Sequence, residues 1–147
     1  MRLETAQRLL ASVHAAATES SLRVSIVVVD ARGIEVASAR MDEATWFTLG
    51  IARSKARSAV AFGRPSADLG AMREAHPDVW RLADDQLPFE ATTLPGGILV
   101  HDAEGAVVGA IGVSGAAPEE DVRVAQGAVS DLAAGHDSDV PSRGTGL

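Results

Sequence analysis

The sequence predicts an α/β protein in the broad sense: an α+β domain in which helices pack on the faces of an antiparallel sheet. Three observations carry that prediction. The run "VSIVVVD" (24–30) is β-branched, with no polar alternation after Ser25, the mark of a strand covered on both faces. The stretches "VDARGIEVA" and "HDAEGAVVG" share D-A-x-G followed by apolar residues, which twice places a tight turn between two strands. Helical periodicity flanks and separates these hairpins, without the strand–helix alternation of a Rossmann fold.

Each element follows in order. Leu3, Ala6, Leu10, Val13 and Ala17 form one stripe, so residues 3–20 read as an amphipathic helix with His14 at the stripe's edge. The strand 24–30 turns at "DARG" into a return strand over 34–42. From Thr45 to Phe62 the small residues Ala52, Ala56, Ala59 and Gly63 share one face, which lets a helix approach a sheet closely. Ser66 is placed as the N-cap of a second helical segment ending at Pro77. The stretch 77–95 holds Pro77, Pro88 and Pro95, and no element is predicted there. A second hairpin follows around "DAEG" (102–105). Pro118 then opens a last helix with Val122, Ala125, Val129 and Leu132 on its buried side. Residues 1–135 form a single domain in this reading, and the polar stretch 136–147 is a disordered tail.

Composition narrows the function classes. The chain of 147 residues carries no cysteine, which removes disulfides, thiolate catalysis and zinc–thiolate sites. A net charge of −7, with two tryptophans, three phenylalanines and no tyrosine, argues against nucleic acid as a partner. No apolar run approaches the roughly 18 residues of a membrane span, so the expectation is a soluble, cytoplasmic protein with a small-molecule ligand and no membrane partner.

The run "GAVVGAIGVSG" (105–115) ahead of "APEED" raises the possibility of a phosphate cradle. Its glycine spacing is not the dinucleotide fingerprint. Glu119, Glu120 and Asp121 also fill the first turn of the following helix, where they suit the helix dipole and repel a phosphate. Such glycines more often mark close approach of another backbone, subunit or flat ligand.

Four segments together, "VVVDARGIEVASARMD", "IARSKARSAVAFGRPSADL", "PGGILV" and "GAVVGAIGVSGAAPEEDVRVAQ", resemble the GlcG/HbpS family of haem-binding or haem-degrading proteins, which includes the C-terminal domain of PduO-type adenosyltransferases. The resemblance implies a profilin-like fold and a homo-oligomer, a dimer or larger, with octamers known. It implies haem as cofactor and a histidine of the first helix as an iron ligand in some members. The chain departs from the family at "GGILV", where a proline usually follows the glycine pair.

Without tyrosine or cysteine, a haem iron could be held only by histidine or methionine, and His14 is the first candidate. The alternative is an ordinary surface histidine. His76, His101 and His136 lie in an irregular segment, beside a turn and in the tail, and no pair has zinc-site spacing. Arg40 and Asp42 in "RMD" could grip a carboxylate or form a structural pair. Gly96 and Gly97 could present backbone N–H groups to a ligand or serve a turn. Ser114 joins the ligand-binding candidates but has no recognisable triad partners. Asp121 reads as a helix-start charge before a catalytic acid.

All but one of the 13 basic residues are arginine, and the exception, Lys55, falls on a partly apolar helix stripe within "SKARSA". There it would be a proton carrier or carboxylate anchor, or else a salt bridge to Asp42 or Asp30. Two functions therefore compete. One is haem or tetrapyrrole binding in an oligomer, with haem degradation. The other is a cofactor-independent lyase or isomerase using Lys55, Arg40 and Asp42 on a small carboxylate or carbonyl compound.

Overall fold

A computed structural model of the chain describes residues 1–138. The first amphipathic segment forms α1 (Leu3–Glu19), which buries Ala6, Leu9, Val13 and Ala17. The buried stripe is thus rotated from the expected one: Leu9 replaces Leu10, and Leu3 is exposed. The β-branched run becomes β1 (Ser25–Asp30) and pairs antiparallel with β2 (Glu35–Arg40). The second hairpin joins β3 (Gly97–His101) to β4 (Val107–Ser114). Both turns use one device. The Oδ1 atom of Asp30 accepts the N–H groups of Arg32 and Ile34 at 2.8 and 3.0 Å, and Oδ1 of Asp102 accepts those of Glu104 and Ala106 at 3.0 and 2.9 Å. Gly33 and Gly105 supply the positive φ, 78° and 85°, that each turn requires.

The strand order is β2-β1-β4-β3, all neighbours antiparallel, which sets β1 and β4 in the middle. Side-chain alternation then sorts the sheet into two faces. Val27, Val29, Leu99 and Ala110 meet Ala52, Ala56 and Ala59 of α2 (Thr48–Phe62). Ile26, Val28, Ile98, Val100, Ile111 and Val113 meet α1 and α5 (Pro118–Ser138) on the other side. Each of these large side chains contributes roughly 1.5–3 kcal/mol by its burial. The first and last helices are also tied together, through Ser12 to Asp131 at 2.9 Å and Arg123 to Ser20 at 2.9 Å. In α5 the buried apolar residues are Val124, Ala125, Ala128 and Leu132, while Val122 and Val129 are only partly covered.

The glycines of β4 belong to this packing. A Cβ on Gly112 would collide with the Ala52 carbonyl oxygen and stand 2.9 Å from the Ala56 nitrogen. Helix α2 therefore rests on the strand's bare backbone. Because β4 is internal and covered on both faces, its glycines serve contacts within one chain, and the sheet's free edges belong to β2 and β3.

Three expectations are corrected. Ser66 does not cap a helix: it begins a 3-10 turn (Ser66–Asp68), and its hydroxyl donates to Leu94 O at 2.7 Å while accepting Gly97 N–H at 2.8 Å. After α3 (Leu69–Ala75), a fourth helix, α4 (Pro77–Gln86), occupies part of the proline-bearing stretch. Pro77 stands in its first turn, where no donor is needed, and Trp80 stacks on Phe62 at 5.2 Å. Finally, α5 continues to Ser138 through the expected start of the tail, and 139–147 lie outside the described residues. Among the described residues no helix is long and apolar enough to cross a membrane.

One surface pair predicts a pH effect. Arg53 Nε donates to Glu35 Oε2 at 2.6 Å, and that hydrogen bond holds the Glu35 carboxyl below its ordinary 4.5. A depressed carboxylate stabilises the fold above its unfolded pKa, and the contribution fades as pH falls through the folded value. Both side chains remain about a third exposed, so Glu35→Gln should cost under ~1 kcal/mol at ~pH 7 and almost nothing at ~pH 3. Urea unfolding at the two pH values checks this.

Candidate functional site

The face of α1 beside its buried stripe carries Leu10, His14 and Thr18 at successive i, i+4 positions. The chain leaves α1, crosses β1 and returns along β2, so the end of that edge strand, with Arg40, Met41 and Asp42, comes back beside α1. Two adjoining open clefts result. One, of about 410 Å³, is lined by His14, Thr18, Leu22, Arg23, Met41 and Asp42 among others. The other, of about 380 Å³, is lined by Leu10, His14, Ile26, Ala39, Arg40, Met41 and Asp42. His14, Met41 and Asp42 border both.

The local backbone is held firmly. Met41 N–H donates to Val24 O at 3.0 Å, Ala44 N–H to Met41 O at 3.1 Å, and Arg40 Nη1 to Ala44 O at 2.9 Å. Arg23 pairs with Glu43 at 3.1 Å on the rim. The site therefore offers an exposed imidazole, a thioether and a guanidinium beside the apolar Leu10 and Ile26. That donor set suits a flat apolar ligand with a metal centre and carboxylate substituents.

Lys55, Gly96, Gly97 and Ser114 lie elsewhere, where α2 crosses β4 and the start of α5. Lys55 is 3% exposed. Its Nζ donates to Val113 O at 2.8 Å and to Asp121 Oδ2 at 3.0 Å. Its partner is thus Asp121, rather than Asp42 or Asp30. Asp121 Oδ1 in turn accepts Ala116 N–H at 3.0 Å. Burial draws the Lys55 ammonium below its ordinary pKa, against the attraction of Asp121. Burial likewise pushes the Asp121 carboxyl up, against the pull of Lys55 and of the Ala116 and Gly115 amides. Each charge is tolerable only because the other is present.

The glycine pair fits around this lysine. A Cβ on Gly96 would stand 3.0 Å from Lys55 Nζ and 2.6 Å from Val113 O, and one on Gly97 would strike the Lys55 carbonyl. The Gly97 amide donates to Ser66, so it is not presented to a ligand. Ser114 is buried at the end of β4, opposite Ser25. Lys55 lines neither cleft beside His14, so the structure does not bring Lys55 together with Arg40 and Asp42 as a shared catalytic group. His76 and His101 are exposed and line neither cleft beside His14, and among the described residues no three His, Cys, Asp or Glu side chains group to hold a metal ion.

In the sequence Leu10 reads as part of the buried stripe of the first helix, and Thr18, Arg23 and Met41 are not singled out. The signal for Thr18 was the second helical stripe through His14, and for Met41 its place between Arg40 and Asp42.

A family model described as "Haem degrading protein HbpS-like" matches residues 1–130. No curated protein sequence matches the chain. Among solved structures, the ORFY protein of Klebsiella pneumoniae is 30% identical, with a TM-score of 0.81 and coverage of 91% of each chain. A double mutant of Streptomyces reticuli HbpS is also 30% identical, with a TM-score of 0.79 over 90% of this chain and 86% of that one. A structure described as the PduOC:heme complex is 25% identical, with a TM-score of 0.78 over 88% of this chain and 93% of that one. With its α+β fold and the family match over residues 1–130, the chain belongs to the HbpS-like family.

Proposed function

We propose that this protein binds haem, or a closely related tetrapyrrole, in the cleft between α1 and the end of β2. The observation that carries the reading is the meeting of His14 with Arg40 and Met41 around one apolar-walled cleft. The family description and the haem complex of a relative support it. Haem would supply iron-centred redox and ligand-binding chemistry. His14 would be the iron ligand, Arg40 would hold a propionate by charge-assisted hydrogen bonds, and Leu10 and Met41 would cover the macrocycle edge. Asp42, which borders the same clefts, would orient the imidazole.

Haem degradation, a cytoplasmic location and a homo-oligomer belong to the same proposal. Surface for self-association is available at Trp46, Phe47 and Leu94, which are 81%, 50% and 49% exposed, rather than at the internal glycine-rich strand.

Spectrophotometric haem titration tests the reading. Haemin should give a saturable, shifted Soret band, which His14→Ala should abolish or shift with at least ~10-fold weaker binding. Arg40→Gln should weaken binding about 3- to 10-fold and leave the band position unchanged, as expected from one lost charge-assisted contact. An unchanged spectrum and affinity in His14→Ala would remove His14 from the site and the reading with it.

A further inference from the structure

At the other end of β2, on the face covered by α2, lies a second cleft of about 500 Å³, within the range of small-molecule sites. Its walls come from the β1–β2 turn, from α2 and from the segment after α4. Ile34, Val60, Leu87 and Phe89 give an apolar lining, and among the described residues Arg32 and Arg57 are the only charged ones in it. In a chain of net charge −7, a cleft whose described lining holds two cations and no anion needs a reason.

Arg57 is prearranged. Its Nε donates to Gly33 O at 3.1 Å, and its guanidinium carbon lies 5.7 Å from the centre of the Phe89 ring, within cation–π range. The Phe89 wall is itself anchored, because Ala91 N–H donates to Asp84 Oδ1 at 2.9 Å and Thr92 N–H to Ser58 Oγ at 3.0 Å. Neither arginine makes a salt bridge among the described residues. The nearby carboxylates hold other hydrogen-bond partners: Glu35 feels Arg57 but bonds Arg53, and Asp30 feels the Arg32 charge while its Oδ1 receives the Arg32 and Ile34 amides. The Nη1 and Nη2 groups of Arg57 thus remain as a fork, the geometry that matches a carboxylate in two parallel bonds.

We propose that this cleft binds a small organic acid with an apolar body, of the aryl or branched-chain carboxylate class. Arg57 holds the carboxylate, Arg32 adds charge from the turn, and Val60, Leu87 and Phe89 take the body. The site is independent of the haem cleft.

Amide NMR titration of the full chain with phenylacetate, 2-phenylethanol and sulfate tests this, with melting curves for every variant. Phenylacetate should shift the Gly33, Ile34, Arg57 and Phe89 signals saturably. The alcohol lacks the charge and sulfate lacks the body, so each should bind at least ~10-fold more weakly. Arg57→Met should weaken phenylacetate by at least ~10-fold, and Arg57→Lys should restore only part of the loss because the fork is missing. His14→Ala should leave these shifts unchanged. The proposal is overturned by an absence of saturable shifts up to ~20 mM, a ceiling well above the affinity expected of a real subsite. It is also overturned by equal binding of the alcohol or of sulfate, by full binding in Arg57→Met or Arg57→Lys, or by loss of the shifts in His14→Ala.

Discussion

Replacing Lys55 with methionine should cost about 3–5 kcal/mol of stability, because it strands the Asp121 carboxylate in the interior without its counter-charge. The two side chains are each only 4% exposed and stand 3.0 Å apart, so water cannot substitute for the lost partner. The melting temperature should fall by roughly 10 °C, given about 2–4 °C per kcal/mol for chains of this size. The double variant Lys55→Met/Asp121→Asn should be more stable than Lys55→Met alone. Asparagine carries no charge, and its carbonyl oxygen can still accept the Ala116 amide that Asp121 Oδ1 accepts in the native chain. Haem titration of Lys55→Met, performed well below its melting point, should match the native protein. A Lys55→Met melting point within ~2 °C of the native one would refute the buried tie, and selective loss of ligand at unchanged stability would make Lys55 a functional residue.

Gly112→Ala should be the other severe change, at about 2–3 kcal/mol or more. The new methyl would meet the Ala52 carbonyl oxygen and the Ala56 nitrogen, atoms of a helix backbone that cannot rotate aside. Either α2 lifts off the sheet or β4 bends, and both open the contact among Val27, Val29 and Ala110. Gly127→Ala is the matched control. Among the described residues nothing lies within 4 Å of its added Cβ on α5, so it should raise stability by up to ~1 kcal/mol through better helix propensity. Urea unfolding of the two variants compares them, and equal effects would contradict the packing argument.

The parts of the fold legible in the sequence were those governed by local rules. The D-A-x-G turns could be read because an aspartate hydrogen-bonding the next amides and a glycine at positive φ are properties of four adjacent residues. β1 could be read because six consecutive residues must suit two covered faces. Helix α4 was missed because proline reads as a breaker unless its place in the first turn is known. The candidate site divided along the same line. His14 was visible as a polar residue on a stripe edge, and Arg40 and Asp42 as charges where a strand ends. That these three share a cleft depends on β2 folding back beside α1, which no local pattern states. Lys55 stood out by composition, yet its partner lies 66 positions away, and periodicity reports burial without naming what lies opposite.

The placement of α1 and α5 on one face of the sheet has a consequence for how the chain is made. Helix α2 and both hairpins precede α5 in the order of synthesis, so one side of the sheet can close while Ile98, Val100, Ile111 and Val113 still face water on the other. Lys55 reaches Asp121 only once that last helix has emerged and docked. A nascent chain halted before residue 118 would hold a half-covered sheet and an ammonium without its carboxylate partner, a species drawn to chaperones and to other unfinished chains. Completion of the final helix is therefore the step that commits the polypeptide to its native form.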